Sequence, residues 1–259
     1  GEPLVRRQLD RLVAMLSAIE GLNDLSMTTN GMLLADHAEA LRAAGLRRLN
    51  ISLDTLDEEV FQRISRRTGL QKTIEGIDRA IDCGFDSVKL NALAIRGISE
   101  SEVCRLVQFS IDRGVTIRFI EFMPLDADRA WRSQDVLDGD TLLELIRDRF
   151  GKVEAVERDD PSQPAEEFQV ANGRVGIIRS VTAPFCDKCN RLRITADGAV
   201  RNCLFTTDET PLREKMRGGA TDDELIAEIQ RCVSAKKAAH GIDADDFEPP
   251  ERPMYAIGG

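Results

Sequence analysis

Hydrophobic and polar positions follow one repeating order along the first half of the chain. A helix with apolar residues three and four positions apart ends at a glycine, and a short strand-like run comes next. The four runs are LSMTTN, LRRLNISLD, FDSVKLNALAI and VTIRFIEFMP. Strands that alternate with helices indicate a parallel sheet, because parallel neighbours need a crossover connection. The pattern therefore predicts an α/β fold with ligands at the carboxyl ends of its strands.

Polar side chains stand at the predicted carboxyl ends of these strands. Thr28, Ser52 and Lys89 lie in or after the first three runs, and Glu121 and Met123 close the fourth. Other residues of the same segments are Thr29, Asn30, Asp54, Asn91 and Pro124. TTNG also forms a good turn and SLD also caps a helix, so the sequence alone leaves a structural role open for each segment.

The helix that precedes the fourth strand carries a start signal. Ser99 is followed by Glu102 three residues later, which is the spacing of a capping box. The sequence predicts that each of these two side chains accepts a hydrogen bond from the other residue's backbone N–H.

The second half of the chain has a different pattern. Short strand-like runs (VEAVERDD, EEFQVAN and RVGIIRSV) precede a hairpin that turns at Asp197 and Gly198. A long helix from Asp222 to Lys237 and a Pro-rich tail follow. We therefore expect two domains, residues 1–140 and 141–259.

Composition narrows the class of protein. The formal net charge is −10 and the sequence pI is about 4.9, the wrong sign for a protein that binds nucleic acid through its phosphates. No run approaches the roughly 20 apolar residues of a membrane span, and no signal pattern opens the chain. Cys83, Cys104 and Cys232 are scattered through helical patterns, as in a reducing compartment. We expect a cytoplasmic protein without nucleic-acid or membrane partners.

Three cysteines lie close together in PFCDKCNRLRITADGAVRNC, at Cys186, Cys189 and Cys203. Structural zinc needs a fourth protein ligand, and the histidines, His37 and His240, are far away in sequence. Three thiolates can instead hold a [4Fe-4S] cluster whose fourth iron is open to a ligand. Zinc, an iron–sulfur cluster and coincidental spacing all remain open from the residues alone.

Two arginines follow the second of these cysteines. Arg191 and Arg193 alternate along a strand-like run, so they are expected to face the same way. The planar guanidinium suits phosphate, so a cluster beside two arginines suggests a phosphorylated ligand. A solvated strand face is the other interpretation of the pair.

Several short motifs occur in a fixed order, namely GEP, TTNG, SLD, VKLN, EFMP, CDKCNRLRIT with the later Cys203, and a terminal IGG. In this order the chain resembles the GTP 3′,8-cyclase family of molybdenum cofactor biosynthesis, within the radical S-adenosylmethionine enzymes. The resemblance implies an incomplete TIM-like barrel of six βα units and a C-terminal domain with a [4Fe-4S] cluster. It also implies a 5′-deoxyadenosyl radical that converts GTP to (8S)-3′,8-cyclo-7,8-dihydroguanosine 5′-triphosphate.

The resemblance assigns roles to residues of the matching motifs. It places Gly1, Glu2, Pro3, Ser52 and Met123 at S-adenosylmethionine. It places GTP against Thr28, Lys89, Arg191, Leu192 and Arg193. Cys186, Cys189 and Cys203 would hold the second cluster, whose open iron binds the guanine, and Gly258 and Gly259 would reach into the active site as a catalytic tail. Other implied partners are an electron donor, the downstream cyclic pyranopterin monophosphate synthase and a second copy in a homodimer.

The sequence departs from the family pattern at one motif. The CxxxCxxC that holds the first cluster precedes GEP in the family and does not occur in these 259 residues. The first strand and most of the second strand of the barrel are also missing, so we expect an open barrel wall. The chain is expected to be a cyclase without its N-terminal cluster segment. The alternatives are a remnant that binds GTP and one cluster without turnover, and a zinc-held domain attached to a phosphate- or sugar-processing barrel.

Overall fold

One seven-stranded sheet forms the centre of the molecule. The computed structural model describes residues 1–125, 130–158, 160, 162–242, 247, 249–250 and 252–257. The strands of this sheet are β1 Ser26–Thr29, β2 Arg48–Ser52, β3 Ser87–Ala94, β4 Thr116–Glu121, β5 Val153–Val156, β6 Glu166–Val170 and β7 Gly173–Ile178. Their order is β1-β2-β3-β4-β7-β6-β5. A separate two-stranded hairpin consists of β8 Arg193–Ile194 and β9 Val200–Arg201.

In the part of the chain that the structure describes, six helices accompany the strands of the main sheet, and the last two pack against each other beside the hairpin. They are α1 Leu9–Ser17, α2 Leu34–Ala43, α3 Glu58–Ser65, α4 Leu70–Asp82, α5 Glu100–Asp112, α6 Gly139–Phe150, α7 Leu212–Arg217 and α8 Asp222–Ser234. The strands β1 to β4 are parallel to one another, and β7 is parallel to β4. The predicted alternation of helices and parallel strands is confirmed, and the mixed α/β sheet agrees with a radical S-adenosylmethionine barrel.

The sheet has one apolar and one polar face. Leu49, Leu90 and Ile117 alternate with polar residues along their strands and are completely buried. Because successive residues of a strand point to opposite faces, the polar residues between them share the other face. These residues are Thr28, Arg48, Asn50, Ser52, Lys89, Asn91 and Arg118. We call this set the polar face of the sheet.

The predicted capping box at Ser99 is wrong. The Ser99 hydroxyl donates to the Leu93 carbonyl at 2.9 Å and accepts from the backbone N–H of Ile95 at 3.0 Å. Glu102 is buried and accepts from Thr55 and Leu56, which lie beyond β2. The local spacing was right for a cap, but tertiary partners took both side chains. A capping box is present at Thr221 and Glu224, where α8 begins.

The second half of the chain contributes to the main sheet and also forms the hairpin region. The strands β5, β6 and β7 extend the sheet past residue 140, and the boundary between residues 140 and 141 stays a prediction. The hairpin turns at Asp197 and Gly198 as predicted, and Gly198 has φ +83°. A Cβ atom there would lie 2.5 Å from the Cβ of Arg213, so glycine is required for two reasons. In the part of the chain that the structure describes, no helix has the length and apolarity needed to cross a membrane.

Candidate functional site

Arg118 lies at the centre of the polar face. Its Nε donates to the Asn91 side chain at 2.9 Å and its Nη2 donates to the Asn50 side chain at 2.7 Å. The register places Arg118 beside Asn91 and opposite Gly176 of β7, where a Cβ atom would lie 2.8 Å from Arg118 Cγ. Burial, and then the charge of Arg48, lowers the pKa of Arg118 to about 10. The guanidinium is still a cation at neutral pH, and it is held by neutral amides.

Lys89 lies on the same face and has an acidic partner, but the prediction that it stands at the carboxyl end of its strand is wrong, because it is near the start of β3, beside Thr116. Its Nζ is 3.2 Å from Glu167 on β6, and Arg174 of β7 lies 3.2 Å from the other oxygen of Glu167. Burial alone would raise the pKa of Glu167, but Lys89 and Arg174 lower it overall. An anion that binds at Lys89 therefore shares this cation with Glu167, while Arg118 keeps its charge for a ligand.

The carboxyl ends of β1 and β2 hold further residues that the sequence singled out. Glu2 binds the end of β1, because its carboxylate accepts from the Thr29 hydroxyl at 2.6 Å and from the Asn30 N–H at 2.8 Å. The adjacent Gly1 and Pro3 are thus fixed at this end of the sheet. Thr28 and Ser52 are exposed at the same end, as expected for residues that contact a ligand.

Asp54 lies just beyond β2 and has an unusual environment. Its Oδ1 accepts from the Leu93 N–H at 2.7 Å, and no salt bridge to it occurs among the described residues. Burial raises the pKa of this carboxyl to about 6, and the hydrogen bond from Leu93 opposes the rise. An acid that changes charge near neutral pH therefore lies at the carboxyl end of the sheet.

The segment after β4 meets the C-terminal tail. The N–H of Leu125 donates to Met123 at 2.8 Å, and the Leu125 carbonyl accepts from the N–H of Met254 at 3.1 Å. Ile257 is completely buried, so the tail is held at two points, the Met254 N–H and the Ile257 side chain. The predicted catalytic residues Gly258 and Gly259 lie outside the described residues.

The three clustered cysteines line one cavity of about 300 Å³. Cys186 begins a short 3-10 turn and Cys189 follows it, while Cys203 comes after β9. The cavity is also lined by Cys232 of α8 and by further residues, which include Phe205, Lys236 and His240. The ammonium group of Lys236 donates to the carbonyls of Arg191 and Asn202, so it joins the two segments that carry Cys189 and Cys203.

Arg191 and Arg193 lie beside these thiols, but in a different arrangement from the one expected. Only Arg193 belongs to β8, and Arg191 precedes the strand. The Nε and Nη2 atoms of Arg191 lie 3.3 and 3.2 Å from the Cys189 sulfur, and its guanidinium stacks 4.7 Å from the ring centroid of Phe185. Burial lowers the pKa of Arg193, and the neighbouring charge of Arg191 lowers it further. Both cations are therefore close to the thiols but do not share a regular strand, and their role at GTP stays a prediction.

The charges around the thiols differ from one cysteine to the next. Burial alone would raise the pKa of Cys189, but hydrogen bonds from Arg191 and the charge of Lys236 lower it overall. Burial raises the pKa of Cys186, and the neighbouring thiolates of Cys203 and Cys189 raise it further. A bound cation or cluster would relieve that repulsion, since thiolate is the form that binds metal.

The donor set can be compared with the needs of a single ion and of a larger group. Among the described residues, no set of three or more His, Cys, Asp or Glu side chains is arranged to hold one metal ion. The three thiols stand around the wall of a cavity that His240 also lines. Three thiolates supply three corners of an iron–sulfur cluster, and thiolates are also zinc ligands, so the residues present fit a cluster and the choice of metal stays a prediction.

Sequence reasoning missed Arg118 and Glu167. Both lie on strands, and their importance depends on partners 27 to 78 residues away in sequence. One signal was available, because Arg118 is the single charged residue within the apolar core of the run TIRFI. Its position in register with Asn91 would have placed it on the polar face.

Comparisons with known proteins identify the family of the chain. Residues 1–110 match the family model of the radical SAM superfamily, and residues 115–242 match the model named Molybdenum Cofactor Synthesis C. A GTP 3′,8-cyclase of Rhodopirellula baltica is 64% identical over the whole of this chain and 73% of its own length. The corresponding enzymes of Mycolicibacterium smegmatis and Streptomyces coelicolor are 42% and 41% identical over the whole chain, which covers 73% and 76% of their lengths. The chain therefore belongs to the GTP 3′,8-cyclase family of molybdenum cofactor synthesis, within the radical SAM superfamily.

Proposed function

We propose that this chain is the part of a GTP 3′,8-cyclase that binds GTP between the polar face of the sheet and the cysteine cavity. The single observation that carries the proposal is the cavity itself, where three thiols open next to Arg191 and Arg193. The relatives named GTP 3′,8-cyclase support the substrate. The polar face supplies a second cationic region, at Arg118 and Lys89.

Ser180 connects the cysteine cavity to the carboxyl end of β4. The Ser180 carbonyl lies 3.2 Å from Nε2 of His240, which lines the cysteine cavity. The Ser180 hydroxyl donates at 3.0 Å to the carbonyl of Glu121, the last residue of β4. The cavity is therefore next to the carboxyl end of the sheet, where ligands of parallel sheets collect.

Each group of residues has a separate task in this proposal. Cys186, Cys189 and Cys203 would hold a [4Fe-4S] cluster, which supplies an open iron as a Lewis-acidic contact for the guanine. Arg191 and Arg193 would neutralise the phosphates, assisted by the amide-held Arg118 and by Lys89.

A second set of residues would bind S-adenosylmethionine. Glu2 fixes Gly1 and Pro3 at the end of β1, where this GEP turn would contact the methionine part. Ser52 would contact the cofactor from the end of β2. Met123 would lie against the adenosine. The proposed catalytic residues of the tail, Gly258 and Gly259, lie outside the described residues.

Matched variants test the proposal. Cys186→Ala is expected to lose the iron of this cluster and to weaken GTP binding, because two remaining thiolates cannot hold a cubane. Cys232→Ala is the control, since Cys232 lines the same cavity and is not a proposed ligand. Iron analysis and GTP titration check both variants. Equal iron content in the two variants would refute the ligand assignment.

The phosphate role has its own pair of variants. Arg193→Ala is expected to keep the iron and to weaken GTP binding, whereas the exposed Arg217→Ala on α7 controls for the loss of one positive charge. An unchanged dissociation constant for Arg193→Ala would refute the role. GTP binding without formation of the cyclised product in the loaded protein would favour the alternative of a binding remnant.

A further inference from the structure

Glu121 is a completely buried carboxylate at the carboxyl end of β4. Among the described residues no cation forms a salt bridge with it. A buried charge without a counterion is unfavourable unless hydrogen bonds replace the lost water. The buried Glu121 side chain therefore needs several hydrogen-bond donors around its two oxygens.

Four donors surround the carboxylate, two at each oxygen. Oε1 accepts from the N–H of Gly139 at 3.0 Å and from the hydroxyl of Thr182 at 2.5 Å. Oε2 accepts from the N–H groups of Val181 and Thr182 at 2.9 and 2.8 Å. All four donors come from distant segments, so the side chain joins β4 to the start of α6 and to the segment after β7.

The segment after β7 leads directly into the cysteine cavity. Thr182 is four residues before Cys186. The neighbouring Ser180 donates to the backbone carbonyl of Glu121 and lies against His240, which lines the cavity. Glu121 therefore holds the entrance of the cysteine segment with both its side chain and its backbone.

We propose that Glu121 is a positioning residue that fixes the cysteine cavity against the carboxyl end of the sheet. This inference rests on the proposed function, in which one GTP contacts both regions. Glu121 itself does not contact the ligand, because its four hydrogen bonds occupy both oxygens. Its effect on GTP is transmitted through the segment 180–182.

Glu121→Gln tests this role with almost no change of shape. The amide NH₂ replaces one carboxylate oxygen and faces two N–H or O–H donors, so that corner of the network is lost. We expect the cluster iron to be retained, because the three thiols are local to the cavity. The GTP dissociation constant is expected to rise about tenfold, the factor that corresponds to one lost hydrogen bond to a charged group.

Glu102→Gln is the matched control. Glu102 is also a buried carboxylate and anchors a loop through Thr55 and Leu56, which follow β2, although it also pairs with Arg105. Both variants lose one carboxylate oxygen, and urea unfolding measures how much stability each loses. Only Glu121→Gln is expected to weaken GTP binding. Binding of S-adenosylmethionine is expected to be unchanged in Glu121→Gln.

If Glu121→Gln does not fold, a milder variant, Thr182→Val, tests the same role. It removes the hydroxyl donor and keeps the three backbone donors, and it is expected to weaken GTP binding in the same direction by a smaller factor.

The outcomes separate this inference from the proposed function. Equal GTP affinity of the wild type, Glu121→Gln and Thr182→Val, while Arg193→Ala binds weakly, would overturn the positioning role alone. A wild-type protein that does not bind GTP would overturn the proposed function and this inference together. Equal weakening by Glu102→Gln and Glu121→Gln would show a general loss of stability and would also overturn the positioning role.

Discussion

Replacement of Asp54 by asparagine is expected to stabilise the fold at neutral pH and to have little effect in acid. The folded-state pKa of Asp54 is raised from 3.8 to about 6 by burial. A carboxyl group with a raised folded pKa contributes stability below its unfolded pKa and loses it as the pH rises through the folded pKa. At about 1.36 kcal/mol per pKa unit, the ionised carboxylate costs about 3 kcal/mol above pH 6. Asparagine removes that cost and still offers an oxygen to the Leu93 N–H.

Urea unfolding of the wild type and Asp54→Asn at two pH values checks this expectation. The stability advantage of the variant is expected to grow by about 2 kcal/mol between pH 4.5 and pH 7.5, followed by circular dichroism at 222 nm. Asp148→Asn controls for the removal of one negative charge from the exposed surface, since Asp148 is exposed on α6. The same difference between Asp54→Asn and the wild type at both pH values would refute the argument that the carboxylate is destabilised by burial.

Three further perturbations test other parts of the structure. Gly176→Val places a side chain against Arg118, because even a Cβ at this position would lie 2.8 Å from Arg118 Cγ. The displaced guanidinium is expected to weaken GTP binding, measured by titration, while the fold is retained. An unchanged GTP affinity would contradict the role of Arg118. Arg252→Ala removes the ion pairs that connect the tail to Asp197 and Glu209. We expect altered fluorescence emission from the single tryptophan, Trp131, because its Nε1 donates to Phe122, near the Leu125 carbonyl that binds the tail. An identical emission spectrum would contradict this position of the tail. Phe119→Ala empties a core position that is 1% exposed and is expected to cost about 3–5 kcal/mol in urea unfolding; a loss below about 1 kcal/mol would contradict tight packing.

The alternation of helices and parallel strands could be predicted from the sequence because its signals are local. Each helix before a strand ends at a glycine, and Gly45, Gly84 and Gly114 all have positive φ as a left-handed helix end requires. The turn at Gly198 was equally local.

Pairings between distant segments could not be predicted. Lys89 could be recognised in sequence as a cation within a predicted strand, but no residue near it in sequence indicates that Glu167 is its partner. Glu102 has the spacing of a helix cap, yet Thr55 and Leu56 bind its carboxylate. In both cases the strand register and helix packing decide the contact, and these depend on the whole fold.

The cysteine region lies between these two cases. The spacing of Cys186, Cys189 and Cys203 predicted one site, and the structure brings all three to one cavity. The expectation that Arg191 and Arg193 share one face of a strand is wrong, because Arg191 lies before the strand. Arg191 instead contacts the Cys189 sulfur and stacks on Phe185, because the strand is only two residues long.

The most direct test of the central claim compares iron content and GTP response in two proteins. The wild type and a variant with Cys186, Cys189 and Cys203 all changed to alanine are reconstituted anaerobically, and iron, sulfide and zinc are measured with an absorption spectrum before and after addition of GTP. The account predicts that the variant holds about four fewer irons and that only the wild-type spectrum changes with GTP. Equal iron in both proteins, or zinc lost in place of iron, would contradict it.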